Sequence, residues 1–107
     1  MIDISIIIVN YNVREYIINC IQSIQYFTTK DLRFEIIVVD NASNDGSPEY
    51  FENNLPEIKL INNSENIGFS KAINQGVDVA QGEYLFFLNP DTKLLEDSIN
   101  ILHSFIM

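Results

Sequence analysis

Positive charge is scarce in this sequence. Six lysine and arginine residues stand against fifteen aspartate and glutamate residues, which gives a formal net charge of -9. A protein that binds nucleic acid through phosphates needs a basic face, so this balance argues against a nucleic-acid partner. A smaller phosphorylated ligand would need a metal ion or a helix N-terminus to meet its negative charge.

Cysteine is nearly absent too, because Cys20 stands alone. An intrachain disulfide is therefore impossible, which is compatible with the cytoplasm. Cys20 lies on an apolar helical stripe and is expected in the core. The N-terminus carries Asp3 where a signal peptide would carry basic residues. No apolar run approaches the ~20 residues that a membrane-spanning helix needs, so we expect a cytoplasmic location.

Two common nucleotide-binding motifs are missing as well. No G-x-G-x-x-G follows the first apolar run, and the sequence contains no G-x-x-x-x-G-K-S/T. The first motif positions the diphosphate of a dinucleotide, and the second holds the phosphates of a nucleoside triphosphate. The sequence therefore supports neither a dinucleotide-dependent dehydrogenase nor a P-loop NTPase.

What the sequence does contain is a regular alternation of apolar runs and amphipathic segments. Apolar runs predict four strands, at 4–9, 34–40, 58–61 and 84–88. Helical periodicity predicts four helices, at 12–27, from 47 to before 56, from about 68 to 82, and from 96 onwards. Such alternation builds a parallel sheet with helices on both faces. We predict a Rossmann-like, three-layer α/β/α fold with a mostly parallel sheet in the order 3-2-1-4.

Local signals predict how these elements begin, end and pack. Asn12 followed by Glu15 has the spacing of a capping box, and Ser47 before a proline is typical of an N-cap. Gly82 is expected to stop the third helix. The run 84–88 is apolar at every position, which predicts a strand buried on both faces.

Polar side chains follow three strands that this order makes neighbours. Asp40 ends the second strand, Tyr11 follows the first, and Asn89 and Asp91 follow the fourth. The row would span roughly 10 Å, the width of a nucleoside, at the switch point where such sheets bind ligands. Asp40 could accept hydrogen bonds from a base, Tyr11 could stack on it, and Asp91 could hold Mg²⁺ or Mn²⁺.

Each of these residues also has a purely structural interpretation. Asp40 and Asp91 are both good turn residues. Tyr11 could be the hydrophobic staple of the first helix. Asn66 and Gly68 could form only a loop with a close-packing glycine. The functional interpretation is favoured because three polar strand ends converge on one edge of the sheet.

Four segments, in order, resemble the motifs of family 2 glycosyltransferases with the GT-A fold. They lie at 6–12 with 19–24, at 35–47, at 66–76 and at 82–92, and contain the stretches IIIVNYN, VVDNASNDGS, NIGFSKAINQG and LFFLNPDT. In the last segment Asn89 stands where the family's D-x-D metal motif has its first acid. The sequence Asn-Pro-Asp-Thr is similar to the variant of rhamnosyltransferase-like members.

The resemblance implies a donor site for a nucleotide-diphosphate sugar. Asp40 would contact the base, which Val9 and Tyr11 would flank. The divalent cofactor, Mg²⁺ or Mn²⁺, would rest on a single carboxylate of the motif. The nucleotide-binding residues implied in this way are Val9, Tyr11, Asp40, Asn66, Gly68, Lys71 and Asn89, and the implied metal ligand is Asp91.

The implied activity is transfer of a UDP- or TDP-linked sugar to a saccharide or lipid-linked acceptor in surface polysaccharide synthesis. The family's general base lies later in its domain, so we expect it beyond Met107. Residues 1–107 would be the donor-binding part of a truncated domain, inactive alone and prone to self-association. The full-length protein would lie in the cytoplasm or at the inner face of the membrane. Two alternatives stay open: a non-catalytic nucleotide-binding half-domain and a metal-dependent nucleotidyltransferase.

Overall fold

The computed structural model describes residues 1–29 and 31–106, which form four strands and four helices in alternation. Each predicted strand and helix is present, with ends shifted by a few residues. Within the described residues, no helix combines the length and apolarity needed to cross a membrane. The elements are β1 (Ile2–Asn10), α1 (Arg14–Phe27), β2 (Phe34–Asp40), α2 (Ser47–Asn54), β3 (Lys59–Asn62), α3 (Phe69–Val79), β4 (Gly82–Leu88) and α4 (Ser98–Ile106).

The strands form one parallel sheet in the order β3-β2-β1-β4. β1 is central, and its Ile6 pairs with Ile36 of β2 on one side and with Phe86 of β4 on the other. The short β3 pairs with the outer side of β2. The predicted order is confirmed, and it brings the carboxyl ends of β2, β1 and β4 together at one edge of the sheet.

Side chains of β1 alternate between two apolar layers. Ile4, Ile6 and Ile8 pack with residues of α1, α2 and α4 on one face. Ile7 and Val9 pack with residues of α3 on the other. A parallel strand covered on both faces needs apolar residues at every position, which explains the continuous apolar run in β1. The predicted three-layer arrangement is confirmed.

β4 is not buried on both faces, so that prediction is wrong. Leu85 and Phe87 are 43% and 50% exposed. They lie on the face that α3 covers, but α3 packs over β1 and β2, and β4 is at the edge of the sheet. On the opposite face Tyr84, Phe86 and Leu88 pack against the larger apolar layer.

The N-terminus of α1 is closed by a residue far away in sequence, and not by the predicted capping box. The cap residue is Val13, whose side chain has no acceptor. The Asp45 carboxylate instead accepts hydrogen bonds from the Arg14 N–H at 3.0 Å and from the N–H and hydroxyl of Ser47. Burial alone would raise the pKa of Asp45, but these hydrogen bonds lower it below its usual value. The prediction that Ser47 is the N-cap of α2 is wrong, because Ser47 is the first residue of that helix.

Gly82 opens β4 and does not end α3, whose C-cap is Ala80. The Gly82 N–H donates to the Ser5 hydroxyl oxygen at 2.8 Å. A Cβ at Gly82 would lie 2.5 Å from the Ser5 backbone nitrogen, which is closer than van der Waals contact allows. The missing side chain therefore lets β4 enter the sheet directly beside β1.

Glu35 of β2 links the strands near their amino ends, on the side of the sheet opposite to the converging carboxyl ends. Its carboxylate accepts hydrogen bonds from the Ser5 hydroxyl at 2.6 Å and the Gln81 N–H at 2.7 Å. It also pairs with the Lys59 ammonium at 2.7 Å. Burial raises the pKa of Glu35, but the contacts with Lys59, Ser5 and Gln81 outweigh it, so the pKa is lowered. One carboxylate thus links β2 to β1, to β3 and to the residue before β4.

Candidate functional site

The carboxyl ends of the strands frame a cleft on the α3 face of the sheet. Its volume is about 420 Å³, and Val9, Tyr11, Asn66, Gly68 and Asn89 are among its lining residues. All five were expected from the sequence to contact a nucleotide. The fold therefore brings together residues from β1, from the loop before α3 and from the end of β4.

A second cleft of about 460 Å³ continues from the first. Val13, Asn89 and Pro90 line both, and Tyr16 and Asp91 line the second. We call the two together the strand-end cleft. Asp91, the expected metal ligand, thus lies at one end of a continuous concave surface whose other end is formed by the expected nucleoside-binding residues.

Asp40 lies behind the strand-end cleft and does not line it. Its side chain is fully buried. One carboxylate oxygen accepts a hydrogen bond from the Asn10 side-chain amide at 2.8 Å, and the other accepts from the Ser43 N–H at 2.8 Å. The Ser43 hydroxyl in turn accepts a hydrogen bond from the Asn12 N–H at 2.9 Å. Asp40 therefore joins the end of β1 to the loop after β2.

The next residue, Asn41, does line the cleft, although it is not among the site residues predicted from the sequence. Its N–H donates to the Asn10 carbonyl at 2.9 Å, so the strand pairing continues one residue beyond β2. Val39 packs on the α3 face. Because side chains alternate along a strand, Asn41 falls on that same face and Asp40 on the opposite one. The alternation was readable in the sequence and could have identified Asn41.

Gly68 and Lys71 follow the loop that closes the cleft. Gly68 has a φ of 87°, a value that side chains other than glycine rarely adopt. Its N–H donates to the Asn66 side chain at 2.9 Å. Lys71 lies in the first turn of α3 and is exposed, but it is not part of the cleft lining.

The turn after β4 carries Asp91 over the middle of α1. The Thr92 N–H donates to the Asn89 carbonyl at 3.0 Å, and the Cys20 sulfur lies 4.0 Å from that same carbonyl oxygen. Burial raises the pKa of the Cys20 thiol to about 11, and the negative charge of Asp91 contributes. Cys20 is therefore a protonated core residue at neutral pH, as expected.

These residues lie within positions 5–106, which match the sequence profile described as Glycosyl transferase family 2. The chain belongs to this family. The match covers most of β1 and all of β2, β3 and β4, and it confirms the resemblance indicated by the motifs.

Curated relatives of the family 2 chain are much longer than it. It is 29% identical to glycosyltransferase GlyG of Streptococcus pneumoniae over 94% of its own length and 34% of that protein. It is 31% identical to the teichoic acid poly(glycerol phosphate) polymerase of Staphylococcus epidermidis over 90% of its length and 14% of that protein. The chain thus spans about a third of these relatives or less.

The fold has a close structural counterpart. The crystal structure of residues 1–349 of TarS from S. aureus, in complex with UDP-GlcNAc, superposes with a TM-score of 0.87 and 25% identity. The match covers 98% of this chain and 31% of the TarS chain. The predicted fold class is therefore confirmed by a solved structure as well as by the sheet order.

The residues of the strand-end cleft offer a divalent cation only a few ligand atoms. Within residues 1–29 and 31–106, no group of three or more His, Cys, Asp or Glu side chains could hold a metal ion. Asp91 is exposed and lines the cleft next to Asn89, which offers one carboxylate and one amide oxygen. Mg²⁺ is commonly held by one or two carboxylates together with substrate phosphates. This donor set therefore fits a cation that arrives with a diphosphate.

Proposed function

We propose that this chain is the donor-binding part of a family 2 glycosyltransferase, and that the strand-end cleft holds the nucleoside diphosphate of a sugar nucleotide. The observation that carries the proposal is the convergence of Val9, Tyr11, Asn66, Gly68 and Asn89 on one cleft that continues to Asp91. The similarity to TarS, solved with UDP-GlcNAc, supports it.

We assign the nucleoside to the part of the cleft lined by Tyr11 and Asn41. Tyr11 is 50% exposed, so its ring is available to stack on a base. Asn41 offers a hydrogen-bonding amide in the lining. In this assignment Asp40 supports the pocket from behind through its hydrogen bonds with Asn10 and Ser43, because its side chain does not line the cleft.

We assign the diphosphate to the part of the cleft between Gly68 and Asp91. Asp91 and Asn89 would hold a Mg²⁺ or Mn²⁺ ion there. Such an ion neutralises phosphate charge and stabilises a leaving diphosphate. Lys71 is the basic residue nearest in sequence to the Asn66–Gly68 loop and would add positive charge, which matters in a chain with a net charge of -9.

The remaining chemistry requires groups that residues 1–107 do not supply in this proposal. An acceptor hydroxyl must lose its proton as it attacks the sugar carbon, and a carboxylate general base serves this purpose in family 2 enzymes. We place that base beyond Met107, which agrees with the greater length of the relatives. The acceptor would be a saccharide or lipid-linked saccharide of the cell surface, and the parent protein would act in the cytoplasm or at the inner face of the membrane.

Nucleotide binding tests the proposal directly. We expect UDP or TDP to bind the chain in calorimetric titrations, more tightly with Mn²⁺ than without it. The substitution Asp91→Ala should lower the affinity measured with Mn²⁺ by about tenfold or more, since metal-site changes commonly cost that much. It should leave the affinity measured without metal nearly unchanged.

Asp78→Ala is the matched control, because Asp78 is an exposed carboxylate on α3 and its removal changes the net charge equally. This variant should keep the Mn²⁺ dependence. The proposal fails if the unmodified chain binds neither nucleotide, or if Asp91→Ala binds with the same metal dependence as Asp78→Ala. Sugar transfer by residues 1–107 alone would contradict the placement of the general base.

A further inference from the structure

We propose that Asn63 and Gln75 are positioning residues that fix the orientation of the Asn41 amide and thereby set which nucleobase the strand-end cleft accepts. The inference rests on the proposed nucleotide-binding function. It concerns two residues that do not line the cleft and that are not among the site residues predicted from the sequence.

The three side chains form a connected hydrogen-bond network. The Asn63 side-chain amide donates to the Asn41 carbonyl oxygen at 3.1 Å and to the Gln75 carbonyl oxygen at 2.8 Å. Gln75 donates back to the Asn63 carbonyl oxygen at 2.9 Å. The Asn63 backbone N–H is itself anchored to the Asp40 carbonyl at 2.9 Å. Asn63 is thus held by both β2 and α3.

This network permits one orientation of the Asn41 amide. Its carbonyl oxygen accepts from Asn63, and its NH₂ group donates to the Gly68 carbonyl at 3.3 Å. A rotation of the amide by 180° would place NH₂ against the NH₂ of Asn63 and oxygen against the Gly68 oxygen. Asn41 is only 3% exposed, so water cannot readily replace the lost partners.

A fixed amide can distinguish between bases. Uracil and thymine present a ring N–H flanked by carbonyl oxygens, whereas cytosine presents a ring nitrogen acceptor beside an amino donor. If the base is held in one position, the ring N–H of uracil or thymine needs the Asn41 oxygen as its acceptor. The ring nitrogen of cytosine needs the Asn41 NH₂ group as its donor. A site with buried polar groups rejects the mismatched pattern strongly, because those groups would be left unpaired.

Two isosteric substitutions separate this role from simple packing. Asn63→Asp replaces the NH₂ group that holds the Asn41 oxygen with an acceptor. Asn62→Asp makes the same change at the neighbouring residue, whose side chain is exposed and takes no part in the hydrogen bonds that join Asn41, Asn63 and Gln75. A merely electrostatic or structural effect would appear in both variants, whereas loss of amide orientation would appear in Asn63→Asp.

The experiment is calorimetric titration of the chain and both variants with UDP, CDP and inorganic pyrophosphate in the presence of Mn²⁺. We expect the unmodified chain to prefer UDP over CDP by about tenfold or more. Asn63→Asp should reduce that ratio severalfold and leave pyrophosphate affinity equal to that of Asn62→Asp. Asn62→Asp should keep the ratio of the unmodified chain.

The possible failures are distinguishable. If the unmodified chain binds no nucleoside diphosphate, the proposed function fails and this inference fails with it. If UDP binds but is not preferred over CDP, or if the ratio changes equally in both variants or in neither, this inference alone is overturned. Circular dichroism reports whether Asn63→Asp folds. If it does not, Asn63→Ala removes the donor without adding charge and should relax the same ratio.

Discussion

At the scale of single residues, the tightest constraint on the sheet is at Gly82. A Cβ there would lie 2.5 Å from the Ser5 nitrogen and 2.6 Å from the Ser5 hydroxyl oxygen. The first of these atoms belongs to the backbone of β1, so relief would require β1 and β4 to separate. We predict that Gly82→Ala lowers the free energy of unfolding by about 1–3 kcal/mol, the usual cost of overpacking, as measured by urea denaturation.

Glu83→Ala is a suitable comparison for this substitution, because Glu83 is the next residue of β4 and is exposed. Surface changes of this kind usually alter stability by less than about 0.5 kcal/mol. If the Gly82→Ala and Glu83→Ala variants have equal free energies of unfolding, the close contact with Ser5 does not exclude a side chain at position 82.

Single residues also show which parts of the site could be predicted from the sequence and which could not. Tyr11 and Asn89 could be placed at the cleft because they directly follow strands whose order was predictable. Asp40 is the residue predicted from the sequence, because a carboxylate at a strand end is a good hydrogen-bond acceptor, and Asn41 is not predicted. Asn41 is nearly buried but lines the cleft, whereas Asp40 does not line it, and the alternation of side chains along β2 is the physical reason.

At the scale of secondary-structure elements, Glu35 makes the sheet sensitive to acid. Its lowered pKa means that the folded state favours the ionised form. Its contribution to stability is therefore present above its ordinary pKa of about 4.5 and is lost as the pH falls through the lower folded-state value. We predict that Glu35→Gln costs about 1 kcal/mol at pH 7, the typical value of such hydrogen bonds.

The pH dependence is the diagnostic part of this prediction. The free energy of unfolding can be measured by urea denaturation at pH 7 and at about pH 3. The difference in this free energy between the unmodified chain and Glu35→Gln should be smaller at the lower pH. The matched control is Glu57→Gln, because Glu57 is exposed and its hydrogen bond to Gln25 lies at the surface. If Glu35→Gln changes the free energy of unfolding by the same amount at both pH values, the prediction that the Glu35 charge stabilises the fold is contradicted.

Element order and sheet topology could be predicted because they depend on local periodicity and on the handedness of crossovers. The ends of helices could not. α1 is capped by Asp45, a residue that comes close only after β2 and its loop have folded. The partial exposure of β4 also escaped prediction, because an apolar run gives no sign of whether a helix lies above it.

At the scale of the whole molecule, apolar side chains are exposed on β4 and, on the opposite face of the sheet, on α4. Leu85 and Phe87 are half-exposed on β4, and Ile101, Leu102 and Phe105 are exposed on α4. β4 is an edge strand, and unpaired edges of apolar strands recruit further chains. We predict that copies of the 107-residue chain associate through β4, as judged by light scattering across a concentration series.

Phe87→Lys should reduce this association, because it places a charge on the open edge strand. Tyr26→Lys makes an equal change in charge on α1, where Tyr26 is 82% exposed, and should have a much smaller effect. A monodisperse monomer at all concentrations, or an equal response of the two variants, would rule out association through β4.

The central position of β1 also determines when this fold can be completed. β1 leaves the ribosome before β2, β3 and β4, yet Ile4 pairs with Phe34 on one side and with Tyr84 on the other. Contacts between residues so far apart in sequence form slowly, because a long loop must close first. During synthesis β1 can pair with β2 early, but one side of its backbone stays open until β4 has emerged. A nascent chain paused between α3 and β4 would therefore present the unpaired backbone edge of β1, and unpaired strand edges make a partly folded chain prone to aggregation.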